Sequence, residues 1–181
     1  MGRLTLNMLL SFAQFEREVT GERIRDKIAA SKAKGMWMGG TLPLGYDLPA
    51  DSARVLRVNT KEALTVNHIF NKYLELGSVH TLAEKLKGER IYSRERLLTS
   101  GHIKQSRPFS RVALFHLLRN PIYLGKIKHK DQLFEGLHEP IVNAELFNAA
   151  QAKLEENKSQ RSLRQHKKDQ LRLTGKIYSA K

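Results

Sequence analysis

The sequence contains no cysteine among its 181 residues, which excludes both a disulfide framework and a thiolate zinc site. Its histidines stand singly, as at His68, His80, His129 and His138, so none has the spacing of metal ligands. Long apolar runs are also missing, because no segment approaches the roughly 20 residues that a membrane span requires. The first residues lack the cleavage site of a signal peptide. We therefore expect a cytoplasmic protein with no metal, no cofactor and no membrane partner.

Acidic residues are scarce relative to basic ones. The chain has 32 Lys and Arg against 18 Asp and Glu, which leaves a formal net charge of +14. This excess is larger than solubility requires, and it creates a strong positive field wherever it concentrates. A polyanion is therefore the expected partner, and nucleic acid is favoured because no segment is a basic amphipathic helix with exposed aromatics. Charge alone leaves an RNA-binding protein open.

The apolar pattern predicts a mainly α fold with a small β element. Residues 4–34 contain no proline and one glycine, Gly21, and they are rich in good helix formers, so we expect one long helix. Its first half is apolar around most of its circumference, whereas its second half is basic. The glycines and proline between Gly35 and Tyr46 then predict a linker, and residues 55–58 predict a short strand.

A helix-turn-helix-like domain is expected after Asn59. Apolar residues recur at helical spacing in three segments, and Ser78 and Ser110 stand where serine caps a helix N-terminus. The third helix is predicted to bury Val112, Leu114, Phe115 and Leu118. Residues 92–109 predict a hairpin or a mobile loop, and residues 125–134 predict a small hairpin. A last helix is expected to begin near Asn143 and to lead into a basic tail.

Several motifs, in order, resemble one protein family. The motifs LLSFAQFERE at 9–18 and GERIR at 21–25 are similar to the long helix that ends the catalytic domain of serine recombinases, the resolvase and invertase family. Later motifs resemble the recombinase domain of the large members of that family: GGTLPLGY at 39–46, SRV at 110–112, LRNPIYLG at 118–125, HEPIV at 138–142 and ELF at 145–147. The resemblance covers nearly the whole chain.

This resemblance implies site-specific DNA strand exchange by a tetramer, in which a serine attacks a phosphodiester and forms a 5′-phosphoserine link. In the family that serine lies near the start of the catalytic domain, beside several arginines and before the long helix. No serine of this sequence is assigned that role, and without the arginines a transition-state phosphate would lack most of its charge stabilisation. The large members also continue into a cysteine-bearing zinc ribbon. We therefore expect a DNA-binding piece of a bacterial or phage recombinase that holds DNA without cutting it.

The expected division of the chain follows from the same motifs. Residues 1–35 are assigned to the long helix and residues 36–58 to the linker and short strand. Residues 59–157 are assigned to the recombinase DNA-binding domain. Residues 158–181 form a basic segment that leads toward the zinc ribbon of the large members. The apolar half of the long helix predicts self-association through that helix.

Candidate DNA contacts come from three segments. The long helix supplies Arg17, Arg23, Arg25 and Lys27, which are expected to approach phosphates around the crossover site. It also supplies Lys32 and Lys34, which flank the linker and are expected to neutralise phosphates if the linker lies along a minor groove. The polar loop supplies Arg94, Arg96, Lys104 and Arg107, and the third helix supplies Ser110, Arg111, His116 and Arg119. The third helix is the best candidate to enter a major groove, but the sequence does not separate it from the loop as the base reader.

Other interpretations of the same features remain open. A helix-turn-helix transcriptional regulator with a helical dimerisation arm would have the same charge and the same helices. That interpretation does not explain the FERE motif joined to the glycine-rich linker. A structural RNA-binding protein predicts little preference for duplex DNA. For the long helix, a solvated charged face is the alternative to phosphate contacts.

Overall fold

The computed structural model describes residues 2–49, 54–97 and 101–170, with side chains described except at positions 96, 97, 104 and 160–170. The helices are α1 (Gly2–Ala33), α2 (Thr60–Leu76), α3 (Val79–Gly88), α4 (Arg111–Leu118) and α5 (Ala144–Gln170). The strands are β1 (Tyr46–Asp47), β2 (Arg57–Val58), β3 (Arg96–Leu97), β4 (Ile103–Lys104), β5 (Lys126–His129) and β6 (Gln132–Glu135). They pair antiparallel as β1–β2, β3–β4 and β5–β6. The predicted mainly α fold with a small β element is confirmed.

The chain divides into two compact units. The first contains residues 1–59 and 121–140, and the second contains residues 60–120 and 141–181. The segment 121–140 holds a 3-10 turn at Pro121–Leu124 and the β5–β6 hairpin. It therefore packs with the first unit, although it lies between α4 and α5 in the sequence.

The long helix ends as the glycine after it predicts. The N–H of Gly35 donates to the carbonyl of Lys32 at 2.9 Å. The N–H of Met36 donates to the carbonyl of Ser31 at 3.1 Å, which completes a Schellman motif. Gly35 has a φ of +77°, and a Cβ at this position would lie 2.5 Å from the carbonyl oxygen of Glu135. Both its conformation and its close contact therefore require glycine.

Tyr46 is fully buried within the first unit. Its ring stacks on that of Tyr123 with 6.2 Å between centroids, and the ring of His138 meets it edge-on at 5.2 Å. Its hydroxyl oxygen lies 2.8 Å from the carbonyl oxygen of Glu139 and 3.1 Å from that of Ile122. A buried tyrosine hydroxyl needs such a partner. The linker that ends in Tyr46 is thereby joined to the segment 121–140.

The second unit is a helical core. Its buried residues recur at helical spacing: Val66, Ile69, Phe70 and Tyr73 on α2, Val79, Leu82 and Leu86 on α3, Leu114, Leu117 and Leu118 on α4, and Phe147, Ala150 and Leu154 on α5. Helix α2 contacts α3 and α5, and α4 contacts the same two helices. The side chain of Gln151 donates to the carbonyl of Leu118 at 2.7 Å, which satisfies one of the free carbonyls at the end of α4.

The two predicted serine caps differ. Ser110 precedes α4 and accepts a hydrogen bond from the N–H of Ala113 at 3.2 Å, as expected of an N-cap. Ser78 stands at the N-cap position of α3 with extended backbone, but its side chain makes no capping hydrogen bond. Ser78 therefore occupies the predicted N-cap position without the side-chain hydrogen bond that Ser110 makes.

The predicted apolar face of α4 is also corrected. Leu114 and Leu118 are buried as expected, and Leu117 joins them, whereas Val112 is 65% exposed and Phe115 is 40% exposed. The reason is geometric: each residue turns the helix by about 100°. The buried arc at positions 114, 117 and 118 therefore leaves positions 112 and 115 on the other side.

Candidate nucleic-acid interface

Helix α4 has one sealed face and one open face. Leu114, Leu117 and Leu118 seal the first against the rest of the second unit. The open face carries Val112, Phe115 and His116, and the C-cap residue Arg119 continues this stripe at spacing i, i+3, i+4 and i+7. All four residues are exposed. Residues at this spacing lie next to one another along a helix. The helix therefore presents four contiguous side chains outward.

Basic side chains flank this open face. Arg107 precedes the helix and Arg111 begins it, and both are exposed. At the other end, the guanidinium carbon of Arg119 lies 5.9 Å from the ring centroid of Phe115, a cation–π geometry. A nitrogen of Arg119 also lies 3.6 Å from a carboxylate oxygen of Glu155, in a pair that remains about half exposed. An exposed pair of this kind adds little stability, so Arg119 can exchange its partner at low cost.

A cleft of about 550 Å³ lies beside α4 within the second unit. Its lining includes Arg111 and Phe115 from α4, Arg119 at the C-cap of that helix, His80 from α3 and Lys158 from α5. Three side chains with permanent positive charge therefore border one concave surface. Arginine and lysine donors arranged in this way suit the oxygens of an anionic group such as a phosphate.

The β3–β4 hairpin is anchored at its base. Tyr92 and Pro108 form an antiparallel bridge, and the N–H of Ser93 donates to the carbonyl of Arg107 at 2.8 Å. Nε of Arg94 is hydrogen-bonded to a carboxylate oxygen of Glu62, and both side chains are largely covered. Arg94 thus has a structural partner, in contrast to the exposed Arg107. The hairpin alternative of the predicted loop is the one observed.

Two further candidates lie on the strands of that hairpin. Arg96 and Lys104 are directly paired in the β3–β4 register, so two cationic residues occupy facing positions in the ladder.

The candidates of the long helix lie in the first unit. Arg17, Arg23, Arg25 and Lys27 are exposed, Lys32 is half-buried, and Lys34 follows the helix end. At about 100° per residue, the residues at 17, 25 and 32 share one third of the circumference, whereas those at 23 and 27 fall on another. The basic residues of α1 therefore share a segment but not one face.

Other site types find little support in the described ranges. No group of three His, Cys, Asp or Glu side chains that could hold a metal ion occurs there. No helix in these ranges is long and apolar enough to cross a bilayer. Two carboxyl groups of the second unit have pKa values that hydrogen-bonded partners lower. The hydrogen bond from His68 lowers the pKa of Glu89, and the hydrogen bond from Lys72 lowers that of Glu75.

Sequence reasoning missed two features of this region. It treated His80 as an isolated histidine and Lys158 as part of a solvated tail, whereas both line the cleft beside α4. No local pattern signals this, because the cleft forms only when α3, α4 and α5 pack together. It also assigned Val112 and Phe115 to the core. The short length of α4 and the apolar residue at position 117 were the available signals against that assignment.

Two family models match the chain. The Recombinase model matches residues 60–157, which is more than half of the chain, and the model for the resolvase N-terminal domain matches residues 1–37. The order of these matches is the order of the motifs identified in the sequence. A helix-turn-helix transcriptional regulator is not favoured, because it gives no account of a resolvase segment before the second domain.

Two solved structures illustrate proteins with a similar fold. One is a crystal structure of an LSR–DNA complex, with a TM-score of 0.60 at 20% identity, covering 74% of this chain and 39% of that chain. The other comes from work on the sequence requirements of the Listeria innocua prophage attP site, with a TM-score of 0.57 at 22% identity, covering 77% of this chain and 51% of that chain. At these identities the likeness shows the fold. The chain spans about two-fifths of the first of these proteins and about half of the second.

The Recombinase domain and the resolvase segment occur in one chain, and the motifs of both are present at the expected positions. This combination confirms the resemblance on which the sequence interpretation rests. The chain belongs to the large serine recombinase family.

Proposed function

We propose that this chain binds double-stranded DNA at the attachment site of a serine site-specific recombinase, and that it holds the DNA without cutting it. One observation carries the proposal: α4 is sealed on one side by three leucines and presents the other side to solvent between Arg107, Arg111 and Arg119. A short helix with an open face and flanking cations suits a major groove, in which phosphates border the base edges on both sides.

The other candidate residues take supporting roles in this proposal. Arg107, Arg111 and Arg119 contact phosphates and fix the position of α4, with Ser110 as its cap and His116 near the base edges. Arg94 holds the base of the β3–β4 hairpin through Glu62, while Arg96 and Lys104 bring positive charge to its strands. In the first unit, Arg17, Arg23, Arg25, Lys27, Lys32 and Lys34 approach phosphates beside the crossover site.

The serine that attacks the phosphodiester, with its arginines, is supplied by the catalytic domain that family members carry before the long helix. The exposed apolar side chains of α1 mediate self-association of the recombinase. The protein acts in the bacterial cytoplasm on the DNA of a mobile element or phage.

A salt series tests the DNA-binding proposal. Affinity for a random-sequence duplex is measured for the unaltered chain and for a variant that carries Arg107→Gln and Arg111→Gln. Each phosphate contact contributes about 0.9 to the slope of log affinity against log salt concentration. The variant should therefore bind more weakly with a slope that is flatter by up to about 2 units.

The matched control removes the same charge from exposed positions of the first unit, through Arg3→Gln and Lys128→Gln. If the slope of log affinity against log salt concentration changes equally in both variants, or in neither, Arg107 and Arg111 do not contact DNA phosphates. Equal affinity for duplex RNA and duplex DNA would contradict the DNA-binding function itself. A covalent protein–DNA product on a denaturing gel would contradict the non-cutting role.

A further inference from the structure

The open face of α4 is apolar where a DNA-reading helix usually carries hydrogen-bonding side chains. Val112 is 65% exposed and Phe115 is 40% exposed, one turn apart on the same stripe. Single exposed apolar residues are common on protein surfaces, and Leu64 on α2, at 73% exposed, is an example in this unit. The pair on α4 differs from such cases because it stands between Arg111 and Arg119, at the centre of a cationic surface.

The chemistry of this stripe restricts what it can recognise. Between Arg111 and Arg119, His116 is the one residue of the open face whose side chain can form hydrogen bonds. In the major groove, guanine and adenine are read mainly through hydrogen bonds, whereas thymine also presents a C5-methyl group that apolar side chains contact. We infer that Val112, supported by Phe115, contacts thymine methyl groups and so determines part of the sequence preference. This inference rests on the proposed function.

The charge around the stripe favours DNA over a protein as its occupant. A stable protein–protein interface buries about 800 Å² on each partner, and two apolar side chains on an eight-residue helix supply only a small part of that area. Arg111 and Arg119 line the same cleft as Phe115, and the exposed Arg107 precedes the helix, so the cations beside the stripe suit the phosphates that border a groove. Val112 also lies in the first turn of α4, the part of a recognition helix that contacts base edges.

The experiment removes the methyl group from the DNA rather than the contact from the protein. A preferred duplex is first selected by the full chain from a pool of random-sequence DNA. Each thymine of that duplex is then replaced singly by deoxyuridine, which keeps the base pairing and lacks the C5-methyl group. At one or two positions the affinity should fall about fourfold, the factor that corresponds to about 0.8 kcal/mol for one buried methyl-sized group.

A variant then assigns the contact to its residue. In Val112→Ala the difference between thymine and deoxyuridine should disappear at one of those positions, because the two changes remove the same contact and are not additive. Leu64→Ala, which shortens an exposed apolar side chain elsewhere in the unit, should keep the full difference. Phe115→Ala should reduce the difference at the same or the neighbouring thymine.

The outcomes separate the inference from the function. Equal binding of thymine and deoxyuridine duplexes at every position would overturn the inference and leave DNA binding intact. So would a methyl effect that persists undiminished in Val112→Ala, or a selection that yields no preferred thymine. Failure to bind any duplex would overturn the proposed function, and this inference with it.

Discussion

The ring of His138 stands edge-on to the ring of Tyr46, with 5.2 Å between centroids and an interplanar angle of 87°. Nε2 of His138 lies 2.8 Å from the carbonyl oxygen of Ile122, so this nitrogen must carry a proton and donate it. His138 is 6% exposed. Apart from tyrosines, it is the one buried residue in the described ranges that has an ionisable side chain. A titratable group therefore lies in the core of the first unit.

This position makes stability depend on pH. Burial lowers the pKa of His138 below its ordinary value of 6.5, and the hydrogen bond to Ile122 opposes the shift only in part. Because the folded pKa is depressed, the unfolded chain takes up the proton first as the pH falls. The free energy of unfolding should thus be fully maintained above the unfolded pKa and should decrease as the pH falls through it toward the folded pKa.

Urea unfolding between about pH 7.5 and pH 5.5 measures this dependence. The unaltered chain should lose stability across the window, and His138→Gln should lose less, whatever its stability at pH 7.5. His129→Gln, which leaves the buried ring in place, serves as the control and should keep the dependence of the unaltered chain. A dependence that is identical in all three proteins would contradict the role of His138.

The two serines that precede α3 and α4 form a natural matched pair. Ser110→Ala removes the hydrogen bond to the N–H of Ala113 and should lower the free energy of unfolding of the second unit by about 1 kcal/mol. Ser78→Ala removes no capping hydrogen bond and should change it by much less. Equal losses in the two variants, measured by urea unfolding, would show that the Ser110 cap contributes nothing specific.

The apolar residues of α1 predict concentration-dependent assembly. Met8, Phe12 and Phe15 follow one another at i, i+4 and i+7 and are 60%, 58% and 63% exposed, so pairing of α1 between chains would remove their surface from water. Phe12→Lys combined with Phe15→Lys should weaken self-association at least about tenfold, which corresponds to about 1.4 kcal/mol or more. Sedimentation equilibrium provides the measurement.

Leu64→Lys, which places the same charge at an exposed apolar position of the second unit, is the control for that experiment and should leave the assembly unchanged. If the unaltered chain remains monomeric at all concentrations, α1 does not mediate self-association. If the control dissociates the assembly as effectively as the double variant, the contact lies elsewhere.

Much of the local structure could be predicted from the sequence. The absence of proline and the richness in helix formers predicted α1, and Gly35 predicted its end, because only glycine readily adopts the positive φ of the capping motif. Ser110 predicted the start of α4, since the cap depends on a residue only three positions away. Such features rest on near neighbours in the chain, and a local pattern contains all the information that they need.

The ordered motifs are more informative than the helical pattern, because they indicate the family from the sequence alone. The packing of residues 121–140 with the first unit, the burial of Tyr46 and the exposure of Val112 were decided only by the tertiary structure. Each depends on residues far apart in the sequence, as in the contact of Tyr46 with Glu139. The helical period predicts which side chains share a face of a helix. Which of those faces is buried depends on the elements that pack against the helix. The same holds for the cleft beside α4, where His80, Arg111 and Lys158 come together from three helices.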